Sequence, residues 1–200
     1  MKIIQTALLL FAFSLNATAS DITANSHPAE RVVQETTDKV LSVLDNQQDV
    51  NQVNQLINDI ILPHFNFEQM SKWALGKHWD RLDKNKQMLF VSNFRQLLVN
   101  TYATALSAFD NQSVDVLPAK TGKNKKVAMV PTLISLSNAE PLKISYMMME
   151  SGTDWKVVDM SIGGVSLIRN YRATYASEIR NAGFDTLMEK IIKKNEFAGL

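Results

Sequence analysis

The feature that most constrains this chain is a change of hydrophobic period near Asn111. Upstream, large apolar residues recur three and four positions apart, as in Phe90, Phe94, Leu97, Leu98, Tyr102 and Leu106. That spacing places them on one stripe of a helix. Downstream the pattern alternates, which places successive side chains on opposite faces of a strand. Four strands follow from it, at 113–117, 125–136, 142–150 and 154–162. The links between the last three carry Ser137-Asn138-Ala139 and Ser151-Gly152-Thr153, and Gly122-Lys123-Asn124 precedes the second strand. Links this short imply an antiparallel meander. Pro131 falls inside the second strand, so that strand is expected at an edge, or bulged there.

Helical stripes flank the sheet. One begins at Pro28 with Val33, Val40 and Leu44, and a second runs over 50–61 until Pro63 ends it. A dense apolar segment, 65–79, follows, with Gly76 as the left-handed residue closing a short helix. Asp83 reads as the N-cap of the longest helix, about 84–109. After Gly163-Gly164, two helices at 166–182 and 184–195 are split by Gly183. Helices, then a four-stranded antiparallel sheet, then helices make an α+β domain. Both faces of its sheet are greasy: Leu142, Ile144, Tyr146 and Met148 share one, while Met147, Met149, Val158 and Met160 stand on the other. Such a sheet needs helices on both sides, or helices on one side and a ligand on the other.

The N-terminus reads as an export signal. Lys2 supplies the positive charge, residues 3–15 carry none, and Ala17-Thr18-Ala19 presents the small-x-small pattern of a cleavage site. An apolar run of about 13 residues is short of the roughly 20 that span a bilayer as helix. Cleavage after Ala19 leaves residues 20–200, read as one domain. Lys2 departs with the signal, so that domain carries 20 basic and 20 acidic side chains. A balanced surface lacks the basic stripe that nucleic acid selects and the Lys/Arg clusters that hold proteins on anionic headgroups. With no cysteine in the chain, stability rests on packing, which in an oxidising compartment fits a bacterial periplasm.

Catalytic patterns are sparse. His27 lies in the N-terminal tail, His64 in a loop after Pro63, and His78 beside Trp79. None is paired at metal-ligand spacing, so no metal is expected. Gly164-Val165-Ser166-Leu167-Ile168 begins like a nucleophile elbow but has Ile168 where the second glycine is required, and Ser166 is better explained as an N-cap. Lys123-Asn124-Lys125-Lys126 reads as a solvated turn. Asp159 admits two readings: a general base at the mouth of a cone-shaped NTF2-like sheet, or a structural acceptor serving the Gly163-Gly164 turn, Arg169 or Arg172. The nine methionines suit either ordinary core or a lining that accepts flexible chains.

Asp159-Met160-Ser161-Ile162, Gly164-Val165-Ser166-Leu167 and Asn170-Tyr171-Arg172 resemble the signature of the MlaC proteins, periplasmic phospholipid carriers also called toluene-tolerance auxiliary components. Phe67-Glu68, Met70, Ala74-Leu75-Gly76 and Trp79 are similar to the family's other block. Gln87, Phe90, Phe94, Leu97-Leu98 and Thr101-Tyr102-Ala103 continue the resemblance, which covers nearly all of the chain after residue 19. Gly163 stands where members commonly carry an acid, and Asn66 where many have Asp. The resemblance implies a monomeric, non-enzymatic shuttle that maintains outer-membrane lipid asymmetry. It implies phospholipid as cargo with no cofactor, and as partners an outer-membrane lipoprotein complex and an inner-membrane ABC transporter with an MCE-domain subunit. Acyl chains are then expected between sheet and helices, against Phe90, Phe94, Leu98, Tyr102, Ile144, Tyr146, Met148, Trp155, Val157, Val165 and Leu167. The rival is an exported enzyme on an NTF2-like fold with Asp159 as base. N-terminal sequencing of the secreted protein is expected to read Ser20-Asp21-Ile22; an intact Met1 would remove the export signal.

Overall fold

The computed structural model describes residues 26–44, 55–107, 113–136 and 139–198, and for 103–107 and 198 the backbone alone. The expected signal, 1–19, lies outside them, as does Val53 of the second helical stripe. Helix α1, Pro28–Leu44, opens on His27, whose Nδ1 accepts the N–H of Ala29 at 3.1 Å. The same ring meets Trp155 edge-on, 4.8 Å between centroids. The sequence places His27 in a loose tail; it is instead the cap that fixes α1 to the sheet.

From Gln55 the backbone is helical, passing through a π-helical turn, Ile57–Ile61, and a 3₁₀ turn, Leu62–His64. Leu56, Ile57 and Leu62 are buried there, with Val40, Val43 and Leu44 from the far end of α1 packed against them. Phe65 then forms a single parallel bridge to Val157, and the N–H of Asn66 donates to the Val157 carbonyl at 2.9 Å. Asn66 also caps α2, Phe67–Leu75, its Oδ1 accepting from the N–H of Gln69 at 2.9 Å. An amide oxygen accepts as a carboxylate does, so replacing the family's Asp leaves this cap intact. Gly76 opens a 3₁₀ stretch, Gly76–Arg81. Its φ of 54° is positive as expected, but its ψ of −128° is not left-handed helical. A Cβ there would also lie 2.9 Å from Nε of the Arg172 side chain. Helix α3, Lys84–Ser107, begins at the expected cap, with Asp83 Oδ1 accepting from the N–H of Lys86 at 2.8 Å.

The sheet has six strands, where the period predicts four: β1 Val114–Val116, β2 Lys120–Thr121, β3 Val127–Leu136, β4 Ala139–Ser151, β5 Asp154–Ile162 and β6 Val165–Ser166. The two additions, β2 and β6, are two residues long, too short to display a period. The order is β1-β3-β4-β5-β6, all antiparallel, with β2 also on β3. Strand β3 is therefore interior, yet it holds Pro131. Its outer neighbour is interrupted there: β1 pairs residues 132–134 and β2 pairs 128–129. The missing N–H of Pro131 falls opposite that gap, while its carbonyl accepts from Leu117 N–H at 2.9 Å. β3 is locally an edge where the proline needs one.

Helix α4, Leu167–Ala198, is broken at Gly183 (φ 87°, ψ 168°) as the sequence anticipates. Its two halves pack on α2 and α3 around Phe90, Phe94, Met70, Leu75, Ile168, Tyr175, Leu187 and Ile191, all buried. Phe90 and Phe94 stack at 5.4 Å, and Tyr171 and Tyr175 meet them edge-on. Lys86 pairs with Asp185 at 2.7 Å, and Asn195 donates to the carbonyl of Asn93 at 3.0 Å, so the second half of α4 is also tied by polar contacts. Burying a Phe side chain contributes about 1.5–3 kcal/mol, and the Phe90–Phe94 pair lies within a wider buried cluster whose Leu, Ile and Met residues each contribute on the same scale.

Gly76→Ala is expected to destabilise the fold by about 1–3 kcal/mol, from a strained φ and a displaced Arg172 side chain. Urea unfolding of the two proteins measures it. An unchanged midpoint would mean that neither the positive φ nor the Arg172 side chain penalises a Cβ at this position.

Candidate functional site

Residues directly opposite in antiparallel pairs share a face, so the register assembles the inner face of the sheet into cross-strand rows. The deepest row is Ala128–Met148–Val157, the next Val130–Tyr146–Met160, and the next Val116–Thr132–Ile144–Ile162–Val165, which crosses five strands. A last row is Val114–Ile134–Leu142. A bulge in β5, where Met147 faces Asp159 but Met148 faces Val157, lets Trp155 and Val157 continue the inner face while Asp159 turns to the other.

The rows differ in cover. Ala29 and Val33 of α1 close over Ala128, Val130, Met148, Trp155 and Val157 in one cluster, and Met148 and Val130 are at 0% exposure. Beyond Tyr146, itself only packed against that cluster, the cover ends on β4 and β5, while on β3 Thr132 is still buried and on β1 Val116 packs against the same cluster. Ile134, Leu142, Ile144, Met160 and Ile162 are half-buried, and none of them belongs to a core cluster among the described residues. At the end of the five-strand row Val165 is 61% exposed. The inner face thus runs from sealed core to open apolar surface over about 20 Å, the length of the six steps from Leu142 to Met148 at roughly 3.4 Å each.

The expected lining residues fall into three places. Phe90, Phe94 and Leu98 are buried in the helical cluster, with Tyr102 packed on its margin. Met148, Trp155 and Val157 are in the α1-covered cluster, with Tyr146 at its boundary. Ile144, Val165 and Leu167 lie on or beside the uncovered rows. Ile134 and Ile162 join them there without having been anticipated, beside the buried Thr132, and Met160, which alternation places on the opposite face, is carried to this one by the β5 bulge. Each stands opposite or diagonal to Ile144 or Tyr146, so pairing register was the missing information.

The Thr132 hydroxyl donates to the Ile144 carbonyl at 3.2 Å. Burial is the main cause raising the pKa of Tyr102, Tyr146 and Tyr171, which keeps them neutral. Asp159 is occupied too. Its Oδ1 accepts from the N–H groups of Met160 (2.8 Å) and Ile168 (3.1 Å), and its Oδ2 from the Ser166 hydroxyl at 2.6 Å. Ser166 Oγ in turn accepts from the N–H of Arg169 at 3.0 Å, the expected N-cap. Asp159 thus serves the start of α4 rather than the glycine turn or an arginine. Gly163 and Gly164, at φ 57° and 85°, form the two-residue turn between β5 and β6 and carry the positive φ that such hairpins require.

Elsewhere, a shallow recess of about 380 Å³ at the β2–β3 turn is lined by Lys120, Gly122, Lys123, Asn124, Val127, Ala128 and Met129. It includes none of the expected lining residues. Lys123, Lys125 and Lys126 are exposed, as a solvated turn requires. Among the described residues no cluster of His, Cys, Asp and Glu is arranged to hold a metal, and no helix is long and apolar enough to cross a membrane.

Fold and site together define an α+β domain whose central sheet face is apolar and only half covered. Residues 34–193 match the model of the MlaC protein family, and the chain belongs to that family. It is 25% identical over 168 residues to the intermembrane phospholipid transport system binding protein MlaC of Haemophilus influenzae, covering 80% of this chain and 78% of that one. It is 27% identical over 184 residues to the toluene tolerance protein ttg2D of Pseudomonas putida, covering 89% and 82%. A phospholipid-binding protein from Ralstonia solanacearum, solved in complex with a phospholipid, superposes with a TM-score of 0.78 at 26% identity, over 87% of this chain and all of that one.

Asp159→Ala strands three donors, Met160 N–H in β5 and Ser166 Oγ and Ile168 N–H at the start of α4, and is expected to cost about 2–4 kcal/mol. Asp159→Asn, which keeps an acceptor oxygen, is expected to cost less. Paired urea titrations measure both, and equal losses would show that the carboxylate's acceptor role is not what matters.

Proposed function

We propose that this protein is a periplasmic phospholipid carrier, exported by its N-terminal segment, with residues 20–200 as a single lipid-binding domain. One observation carries the reading: the inner face of the sheet is sealed by α1 at one end and apolar but uncovered at the other, in a fold matched by a phospholipid complex. Acyl chains would lie against the open rows, Ile144 and Tyr146 among them. Tyr102, Val165 and Leu167 are the rim, and the Phe90–Phe94–Leu98 and Met148–Trp155–Val157 groups are the walls behind it. The headgroup would remain at the Val165 end, in water.

The energetics suit a carrier. Two acyl chains of about 15 methylenes each, at roughly 0.8 kcal/mol per methylene, give on the order of 20 kcal/mol gross. That approaches the practical ceiling of non-covalent affinity. Release into water is then slow, so delivery requires docking on a membrane complex that opens the site. By family, those complexes are an outer-membrane lipoprotein assembly and an inner-membrane MCE-domain ABC transporter. The balanced charge supports shuttling, because a cationic surface would remain on anionic bilayers. The function is non-catalytic: Asp159, the one carboxylate considered as a base, has both oxygens engaged by donors.

Native mass spectrometry of the protein as purified is expected to show bound phospholipid. A protein that is empty, and stays empty after incubation with phospholipid vesicles, would remove the proposal. Charge placement tests the geometry. Ile144→Glu is expected to fold and to lose lipid, since the carboxylate stays wet in the empty site and is desolvated when chains enter. Met148→Glu, inside the sealed cluster, is expected to destabilise by several kcal/mol. Thermal melts alongside bound-lipid counts separate the two, and the reverse pattern would place the site elsewhere.

A further inference from the structure

We infer that one exposed face beside the lipid rim, where Lys77, Arg81, Arg169, Arg172 and Arg180 gather, docks on an acidic protein surface of the membrane complex that receives the lipid. The inference rests on the carrier reading above. The charges of the chain balance overall, but the fold distributes them unevenly. Arg169, Arg172 and Arg180 project from the first half of α4 within about 80° of one another, at roughly 100° per residue. The 3₁₀ stretch Gly76–Arg81 adjoins them. Arg172 reaches its first residue, where a Cβ on Gly76 would lie 2.9 Å from the Arg172 Nε. Arg180 stands close enough to His78 to act on its charge. His78 reports how cationic this face is: its pKa is lowered by burial first and then by Lys77, Arg81 and Arg180, and no carboxylate offsets them.

All five cations are exposed, and among the described residues none of them belongs to an ion pair. The nearby acids are engaged elsewhere: Glu178 pairs with Lys190 at 2.5 Å, and Asp83 caps α3. Asp80, the only acid in the 3₁₀ stretch, pairs with none of the five. The array begins at the rim, since Arg169 is two residues beyond Leu167, and Arg180 lies about 16 Å further along the helix at 1.5 Å per residue. Carboxylates of a protein fit this array better than a bilayer does. Four of the five cations are arginines, whose planar fork takes a carboxylate in a bidentate, oriented pair. The 3₁₀ stretch and the first half of α4 expose no large apolar side chain, and charge without such an anchor holds a protein on a membrane weakly. A carrier that must open against its acceptor has to arrive in one orientation. Fixed charges spread along one side of a helix steer the encounter and set that orientation.

The test loads the mature protein with a fluorescent phospholipid and follows delivery into phosphatidylcholine vesicles carrying either purified membrane complex. Arg81→Glu combined with Arg180→Glu is expected to slow delivery to one complex or both by about tenfold at low ionic strength, the scale of electrostatic steering, and by less in high salt. Lys123→Glu combined with Lys125→Glu changes the net charge equally, at the β2–β3 turn beside the sealed end of the sheet, and is expected to leave the rate unchanged. Equal slowing by the two double reversals, or none by the first, overturns the inference. So does delivery by the unaltered protein to neither complex. Two other occupants are read alongside. An equal loss of delivery to protein-free vesicles of phosphatidylcholine and phosphatidylglycerol assigns the face to the bilayer, and a dimer that the first reversal abolishes, seen by sedimentation, assigns it to a second copy; either result overturns an acidic protein partner. Thermal melts check folding, and if the first variant does not fold, Arg81→Gln combined with Arg180→Gln reads the same rates. Failure of the unaltered protein to take up lipid would instead overturn the carrier reading itself.

Discussion

The structure depends on how far one helix reaches across one sheet. The inner face presents four rows, and α1 closes the two deepest through Ala29 and Val33 and reaches the third only on the β1–β3 side, where Val116 packs on the same cluster and Thr132 is buried. Removing that surface from water is the favourable term that fixes α1 on the sheet. His27, capping α1 and packing on Trp155, secures the same end. At its other end α1 turns its apolar stripe to Ile57 and Leu62 instead of to the sheet. The outer rows are left half-buried, and a binding face arises from the cover the fold withholds.

A second constraint keeps that open face from collapsing. The helical layer is a separate core, built on the Phe90–Phe94 stack, and it is stable without filling the space over the outer rows. It joins the sheet at specific points. Phe65 and Asn66 hold the start of α2 to β5 at Val157, and Asp159 with Ser166 holds the start of α4 to the same strand two residues on. The β5 bulge makes both possible, since it turns Val157 inward and Asp159 outward. Helices α2 and α4 also pack on each other within that core, through Met70, Leu75, Ile168 and Tyr175. The two sequence blocks that resemble the MlaC family are thus brought into contact, which gives their residues a shared structural purpose.

Much of this was legible in the chain. The period change separated helices from sheet, Asp83 and Ser166 declared their caps by type, and Gly183 marked the break in α4. Short strands were not legible: Lys120–Thr121 and Val165–Ser166 have too few residues to show alternation. Pro131 predicted an edge strand or a bulge, whereas β3 is interior and regular there, because the gap that accommodates the proline lies between its outer neighbours β1 and β2. Whether Asp159 is a structural acceptor or a base depends on its donors, and two of those come from residues across a turn, where no local pattern reveals them.

The sequence by itself determined the class of the domain, the residues that had to leave water and the caps that end its helices, because these follow from period and from local hydrogen bonding. Its family blocks also identified its relatives. Only the tertiary structure decided which apolar residues are core and which are open surface. Phe94, Met148 and Ile144 are all strongly hydrophobic, and nothing local distinguishes their fates. One lies inside the helical stack, one beneath α1 and one beyond its reach. That distinction is a matter of strand register and helix placement, non-local quantities that a single chain's pattern does not encode.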